Sequence, residues 1–159
     1  MSSGPSELIL LSAGLIVAAL VSGVLLDTWS DMDDALDDRG KQEAEDVKTR
    51  ASLANDPINI DWEAGDEASI WLQNSGDTFL DVNAVGVLLH GSSMTVSVAD
   101  GSTEWLPGEV VEFTIDGTAS SLTFSSGSHD VLFSATVTST ASNYAGMYTF
   151  TEEVRIVVP

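Results

Sequence analysis

The sequence predicts an α+β layout in two parts, one long N-terminal α-helix and then an all-β antiparallel sandwich. Three observations predict it. Residues 8–26 read LILLSAGLIVAALVSGVLL, an apolar run without a charge. Residues 27–54 contain no proline and only Gly40 as a helix breaker. From Asp56-Pro57 onward the apolar residues recur at every second position, which is the strand period. The expected boundary falls near Asn55, giving a helical part over 1–54 and a sandwich over 55–159.

The apolar run has 19 residues. At the helical rise it covers about 28 Å, close to the hydrocarbon thickness of a bilayer. A soluble core helix of that length needs a larger protein around it. A cleaved secretory signal has a basic n-region and a shorter apolar run. Here the first basic residue is Arg39, and Asp27 follows the run directly. The run is therefore expected to remain as a membrane span. Pro5 suits a first helical turn, Ser3 or Ser6 could cap it, and Glu7 favours the positive end of the helix dipole. Ser12, Gly14, Ser22 and Gly23 would let a second helix approach closely.

The helical pattern continues beyond the span. Leu25, Trp29, Met32 and Leu36 recur at spacings of three and four and make one apolar stripe, which Ala44, Val47 and Ala51 extend more weakly. Asp27, Asp31, Asp33, Asp34, Asp37 and Asp38 fall on other faces, followed by Glu43, Glu45 and Asp46. Asp37 with Lys41 and Glu45 with Lys48 stand at pairing distance on a helix. Gly40 is the expected kink. The aspartate run lacks the D-x-[DN]-x-[DN]-G loop of a calcium site, so a solvated helix face is the expectation and no metal site is assigned.

Charge narrows the function. The 159 residues hold 25 acidic and 5 basic side chains, a formal net charge of -20. Such a surface repels nucleic acid and gains nothing from anionic lipid headgroups. With 43% apolar residues and a mean hydropathy of +0.16, the chain is not a disordered polyanion. A folded, carboxylate-coated surface suits concentrated salt, which screens its self-repulsion. A halophilic source is the inference. No cysteine is present, so neither disulfides nor thiol chemistry enters.

Strands are expected at 58–62, 67–73, 79–90, 94–98, 109–116, 122–124, 129–138 and 147–158. Along 79–90 the apolar phase slips by one residue near Ala84, which predicts a bulge. Turn clusters rich in Gly, Ser, Asn and Asp separate the strands. Seven or eight such strands with no helical pattern predict an immunoglobulin-like antiparallel sandwich. Trp71 and Trp105 are the bulky core candidates, although Trp71 lies out of phase with the inward row and is expected at an edge or interface.

No reaction centre is present in the sequence. There is no G-x-S-x-G elbow, H-E-x-x-H, phosphate-binding loop or dinucleotide fingerprint. His90 and His129 stand at strand ends, and Glu152-Glu153, adjacent in a strand, point to opposite faces. No catalytic residue, cofactor or small-molecule substrate is expected, and no N-x-[ST] sequon occurs.

Four stretches carry a family resemblance. They are Ser6-Glu7-Leu8-Ile9, the small residues Ala18-Ala19 and Ser22-Gly23, the acidic Asp34-Ala35-Leu36-Asp37-Asp38-Arg39-Gly40, and Gln73-Asn74-Ser75-Gly76. In these and in layout the chain resembles the archaellin-like, type IV pilin-like proteins of the archaellum, and among them the FlaG-like (ArlG-like) stator branch. The resemblance implies a membrane-anchored structural protein with its sandwich in the pseudoperiplasm. It implies a FlaF-like stator partner, contact through that partner with the S-layer, and self-association through the N-terminal helix. Leu11, Leu15, Ala18, Leu25, Trp29 and Met32 are the expected helix-packing residues, and Glu7 the expected charge partner of the N-terminus. No basic residue precedes the apolar run, which favours a stator over a filament subunit, whose leader carries one. Charge alone does not support the implied orientation, since Arg39 and Lys41 lie on the domain side. Two other roles stand beside the stator: a filament subunit built through the helix, and a membrane-tethered sandwich that binds a surface ligand.

Overall fold

The computed structural model describes residues 3–63 and 66–159. The chain divides into two compact units, Met1–Gly40 and Lys41–Pro159.

A single α-helix, α1, runs over Ser3–Lys48 and passes through Gly40 without a break. Residues on both sides of Gly40 are good enough helix formers to offset the roughly 1 kcal/mol that one glycine costs. Ser6 lies inside the first turn and so cannot cap it, while the side chain of Ser3 is outside the described residues. Within the apolar run the Ser12 hydroxyl donates to the Ile9 carbonyl at 2.9 Å. Just after it the Thr28 hydroxyl donates to Val24 at 2.8 Å. Neither hydroxyl is then left as an unpaired donor. Among the described residues α1 is the one helix long and apolar enough to cross a bilayer.

The second unit is a curled sheet of eight strands: β1 (Ala51–Leu53), β2 (Ile60–Asp61), β3 (Glu67–Asn74), β4 (Gly86–Leu89), β5 (Ser92–Val98), β6 (Val110–Asp116), β7 (Gly127–Thr138) and β8 (Met147–Val158). Their order is β1-β3-β6-β5-β4-β7-β8-β2. All neighbours are antiparallel except β2 with β8. Strand β5 belongs to both halves. Its first residues, Ser92–Met94, pair with β4, and Thr95–Val98 pair with β6. The sheet folds over at that point and its two halves face each other as a sandwich. Leu80 joins the halves a second time through bridges to Trp105 and Ser139.

Alternation places Ala68, Ile70 and Leu72 of β3, Val111, Phe113 and Ile115 of β6, and Val131, Phe133, Ala135 and Val137 of β7 in one core. Trp105 is fully buried at its centre, 5.3 Å from the Phe113 ring, and its indole N–H donates to the Glu109 carbonyl at 3.0 Å. Trp71 is 40% exposed on the outer side of β3. Trp62, unremarked in the sequence, is buried against Phe124.

Three further expectations are corrected. Residues 79–90 are not one bulged strand. The Asp81 carboxylate accepts from Asn83 N–H at 2.9 Å and its carbonyl accepts from Ala84 N–H, so a turn separates Leu80 from β4. That turn absorbs the phase slip read as a bulge. Residues 122–124 form no strand, because Leu122 N–H closes back on Gly117 instead of a neighbouring ladder. The helical pattern stops at Lys48, and Ala51, read as helical, is the first residue of β1.

Candidate functional site

Two regions stand out in this chain, and each lies within one unit. The first is a face of α1. At 100° per residue, Leu11, Ala18, Leu25, Trp29, Met32 and Leu36 fall within an arc of about 60°. Gly14 shares that arc, and Leu15 stands about 40° outside it. The aspartates between Asp27 and Asp38 occupy the opposite side over an arc of about 160°. Leu11, Leu15, Ala18, Leu25, Trp29 and Met32 are all exposed, Trp29 at 66%. Past residue 26, then, α1 carries a narrow apolar stripe backed by carboxylates. Glu7 lies on the same line. The amino-terminal residue that it was expected to face is outside the described residues.

The second region is the junction between the last turns of α1 and the sandwich, residues 41–50 against the turns at 74–78 and 139–147. Side chains of α1 take up backbone groups of the sandwich. Gln42 donates to the Ala145 carbonyl at 2.7 Å. The Asp46 carboxylate accepts from Met147 N–H at 2.8 Å, and Glu45 accepts from the Thr78 hydroxyl at 2.8 Å. Backbone also meets backbone: Asp77 N–H donates to the Lys48 carbonyl at 2.9 Å and Ser75 N–H to the Arg50 carbonyl at 3.1 Å. The first satisfies the carbonyl of the last residue of α1, which a helix end otherwise leaves to water. Thr49, fully buried, donates its hydroxyl to Glu45 at 2.8 Å.

Two glycines allow this approach. A Cβ on Gly76 would run into the Lys48 carbonyl and lie 2.7 Å from Arg50 N, and one on Gly146 would run into the Thr49 hydroxyl and lie 2.6 Å from the Glu45 carbonyl. Asn74 shapes the 74–78 turn. Its amide donates to the Thr78 carbonyl at 2.8 Å and the Trp105 carbonyl at 3.2 Å, and its oxygen accepts from Gly76 N–H at 3.1 Å. Fully buried, it has every side-chain polar atom paired. The residue types of Asn74-Ser75-Gly76 are those of a turn; the contact of this turn with α1 depends on residues distant in sequence.

Several carboxylates pin the sandwich surface. Asp130 and Arg155 form a two-pronged pair, 2.6 Å from Nε and 3.0 Å from Nη2, and the hydrogen bond from Arg155 holds the Asp130 carboxyl below its ordinary value. Asp116 is likewise lowered by its hydrogen bonds to Thr118, and Asp100 by the Ser102 and Glu112 N–H groups. His129 bonds the Ser125 carbonyl at 2.7 Å, and His90 occupies a turn at φ 50. Glu152 and Glu153 stand opposite Phe133 and Leu132, so they face opposite sides of the sheet. Among the described residues no group of three or more potential metal ligands converges.

Comparison with known proteins bears on this architecture. The family model described as archaeal-type flagellin matches residues 2–158. Comparison with curated proteins returns no match. Among solved structures, AggA, the major subunit of aggregative adherence fimbriae type I from Escherichia coli, is similar at 9% identity and a TM-score of 0.30, over 71% of this chain and 98% of that one. At that score the likeness carries no argument.

Proposed function

Because the chain belongs to the archaeal-type flagellin family, whose members are structural components of the archaellum, we propose that it is a membrane-anchored stator subunit. In this role α1 crosses the membrane, the sandwich lies outside it, and a FlaF-like partner links the sandwich to the S-layer. The carboxylate coat suits an envelope bathed in concentrated salt.

The observation that carries the stator over a filament is the narrow stripe. A helix in the core of a filament touches neighbours on several sides. Beyond residue 26, α1 offers apolar side chains on one side only, with aspartates over much of the remainder. That pattern suits a bundle of few helices. Leu11, Ala18, Leu25, Trp29 and Met32 are the proposed packing residues, with Leu15 peripheral. The junction at 41–50 supports the same role, since load passed to the sandwich enters through paired backbone groups and not through a loose linker.

A second reading, the filament subunit, is favoured by a different observation. The family model spans helix and sandwich together, and residues 8–26 are apolar on every face.

Deletion of the gene separates these roles. Loss of swimming is expected while filaments of another subunit are still made. Pull-down from detergent-solubilised membranes should recover a second archaellin-like envelope protein. Unimpaired swimming would sink the stator. Sheared filaments made chiefly of this chain would establish the second reading.

A further inference from the structure

Strand β8 is paired with β7 along its whole length, Met147 to Val158. On its other side it is paired only at Ile156 and Val157, by β2. Its odd-numbered residues aim their backbone groups at that second side. Met147 N–H donates to Asp46 at 2.8 Å, Arg155 N–H to the Pro57 carbonyl at 2.7 Å, and the Val157 carbonyl accepts from Trp62 at 2.9 Å. Between these stops lie Thr149, Thr151 and Glu153. Strand geometry turns their N–H and C=O groups the same way. Among the described residues no strand pairs with them there.

The window at 149–153 has two further properties. Tyr148 and Phe150 point inward beside it, stacked with centroids 6.3 Å apart and only half-buried against the core. Glu152 and Glu153 are exposed, one on each face. The Arg50 guanidinium already lies over the Tyr148 ring, 5.9 Å from its centroid, so an added strand would cover Phe150 and the part of Tyr148 that Arg50 leaves open, and meet negative charge at one end.

We infer that this window accepts one extended segment of a partner protein as an added β-strand. The segment carries apolar residues at alternate, inward positions and Lys or Arg at the outward positions where it passes Glu153. Backbone bonds supply its affinity and the rings and carboxylates its selectivity. A second copy of this chain does not fit. If two β8 edges paired about Thr151, residue 147 of each would meet residue 155 of the other, where Asp46 and Pro57 already occupy the edge. A free extended segment brings no such stops. The inference is independent of the choice between stator and filament, since it concerns the sandwich alone.

The test uses the full chain in detergent micelles at molar KCl, with two synthetic probes. One is an acetylated, amidated heptapeptide, Thr-Val-Lys-Val-Lys-Val-Thr, and the other has Glu in place of Lys. Amide exchange at Thr149, Thr151 and Glu153 should be fast in the free protein and slow about tenfold or more with the Lys peptide. The Glu peptide should have little effect. Thr151→Pro, at a position whose N–H faces outward, should abolish the protection while the melting temperature stays near the parent's. Glu152→Lys combined with Glu153→Lys should reverse the preference between the peptides, which tests the same point without proline. Slow exchange in the free protein, no response to the Lys peptide, or protection that grows only with protein concentration would each overturn the inference. The first would mean a covered edge, the second a merely protected one and the third self-pairing.

Discussion

Alanine at Gly76 probes the junction between α1 and the sandwich. Gly76 is not among the glycines with positive φ, so the demand on it is space and not backbone conformation. The added methyl would meet the Lys48 carbonyl and Arg50 N, both backbone atoms that cannot rotate aside. Restoring van der Waals distance requires the 74–78 turn to withdraw by about 1 Å. That breaks the bonds from Asp77 to Lys48 and from Ser75 to Arg50. Each is worth about 1 kcal/mol, and residual overpacking adds about 1–3. The expected loss is about 3–5 kcal/mol, which lowers the melting temperature of a unit this size by about 12–20 °C. Fluorescence melts of the full chain in micelles report it through the buried Trp62 and Trp105. Gly86→Ala is the matched control, because a Cβ there meets nothing within 4 Å. It should stay within about 1 kcal/mol of the parent. Equal melting of parent and Gly76→Ala, or equal damage from both alanines, would refute the reasoning.

Three other outcomes are expected. Trp29→Ala with Met32→Ala should weaken association of the full chain in micelles, measured by sedimentation, and leave the sandwich's melting unchanged, whereas Leu15→Ala should weaken association less; equal effects would reject the stripe. Moving from molar to about 0.1 M salt lengthens the screening distance from about 3 to about 10 Å, so the melting temperature should fall, and identical melts would discount self-repulsion. The Asp130 carboxyl titrates below its unfolded value, so its pairing with Arg155 stabilises the fold above about pH 4 and is lost as pH falls through the folded value. Asp130→Asn should therefore destabilise at pH 7, and its deficit should shrink as pH falls below about 4; a deficit that does not change with pH would reject the assignment.

Much of this was legible from pattern. The long apolar helix, the stripe through Trp29 and Met32, and the inward rows of β3, β6 and β7 follow from periods of 3.6 and 2, which depend only on local geometry. What stayed hidden depended on distant partners. Asp81 reads as one more acidic residue until its carboxylate closes a turn on Asn83, and then the apparent strand at 79–90 divides. Ala51 continues a helical spacing, but pairing with Asn74 of β3 draws it into the sheet. Gly76 and Gly146 look like ordinary turn glycines, and their function is set by a helix at least twenty-five residues away in sequence. Trp62 ends the expected strand at 58–62, but its burial depends on Phe124, far away in sequence.

Strand β5 has a consequence for how the sandwich comes apart. Because Ser92–Met94 and Thr95–Val98 serve opposite halves, neither half can lose its order without removing an edge from the other. Leu80 repeats the constraint at a second place through Trp105 and Ser139. Unfolding of residues 41–159 should therefore be a single cooperative event. A pull on one half of the sheet is shared by the other, and the domain holds its shape until it yields as a whole.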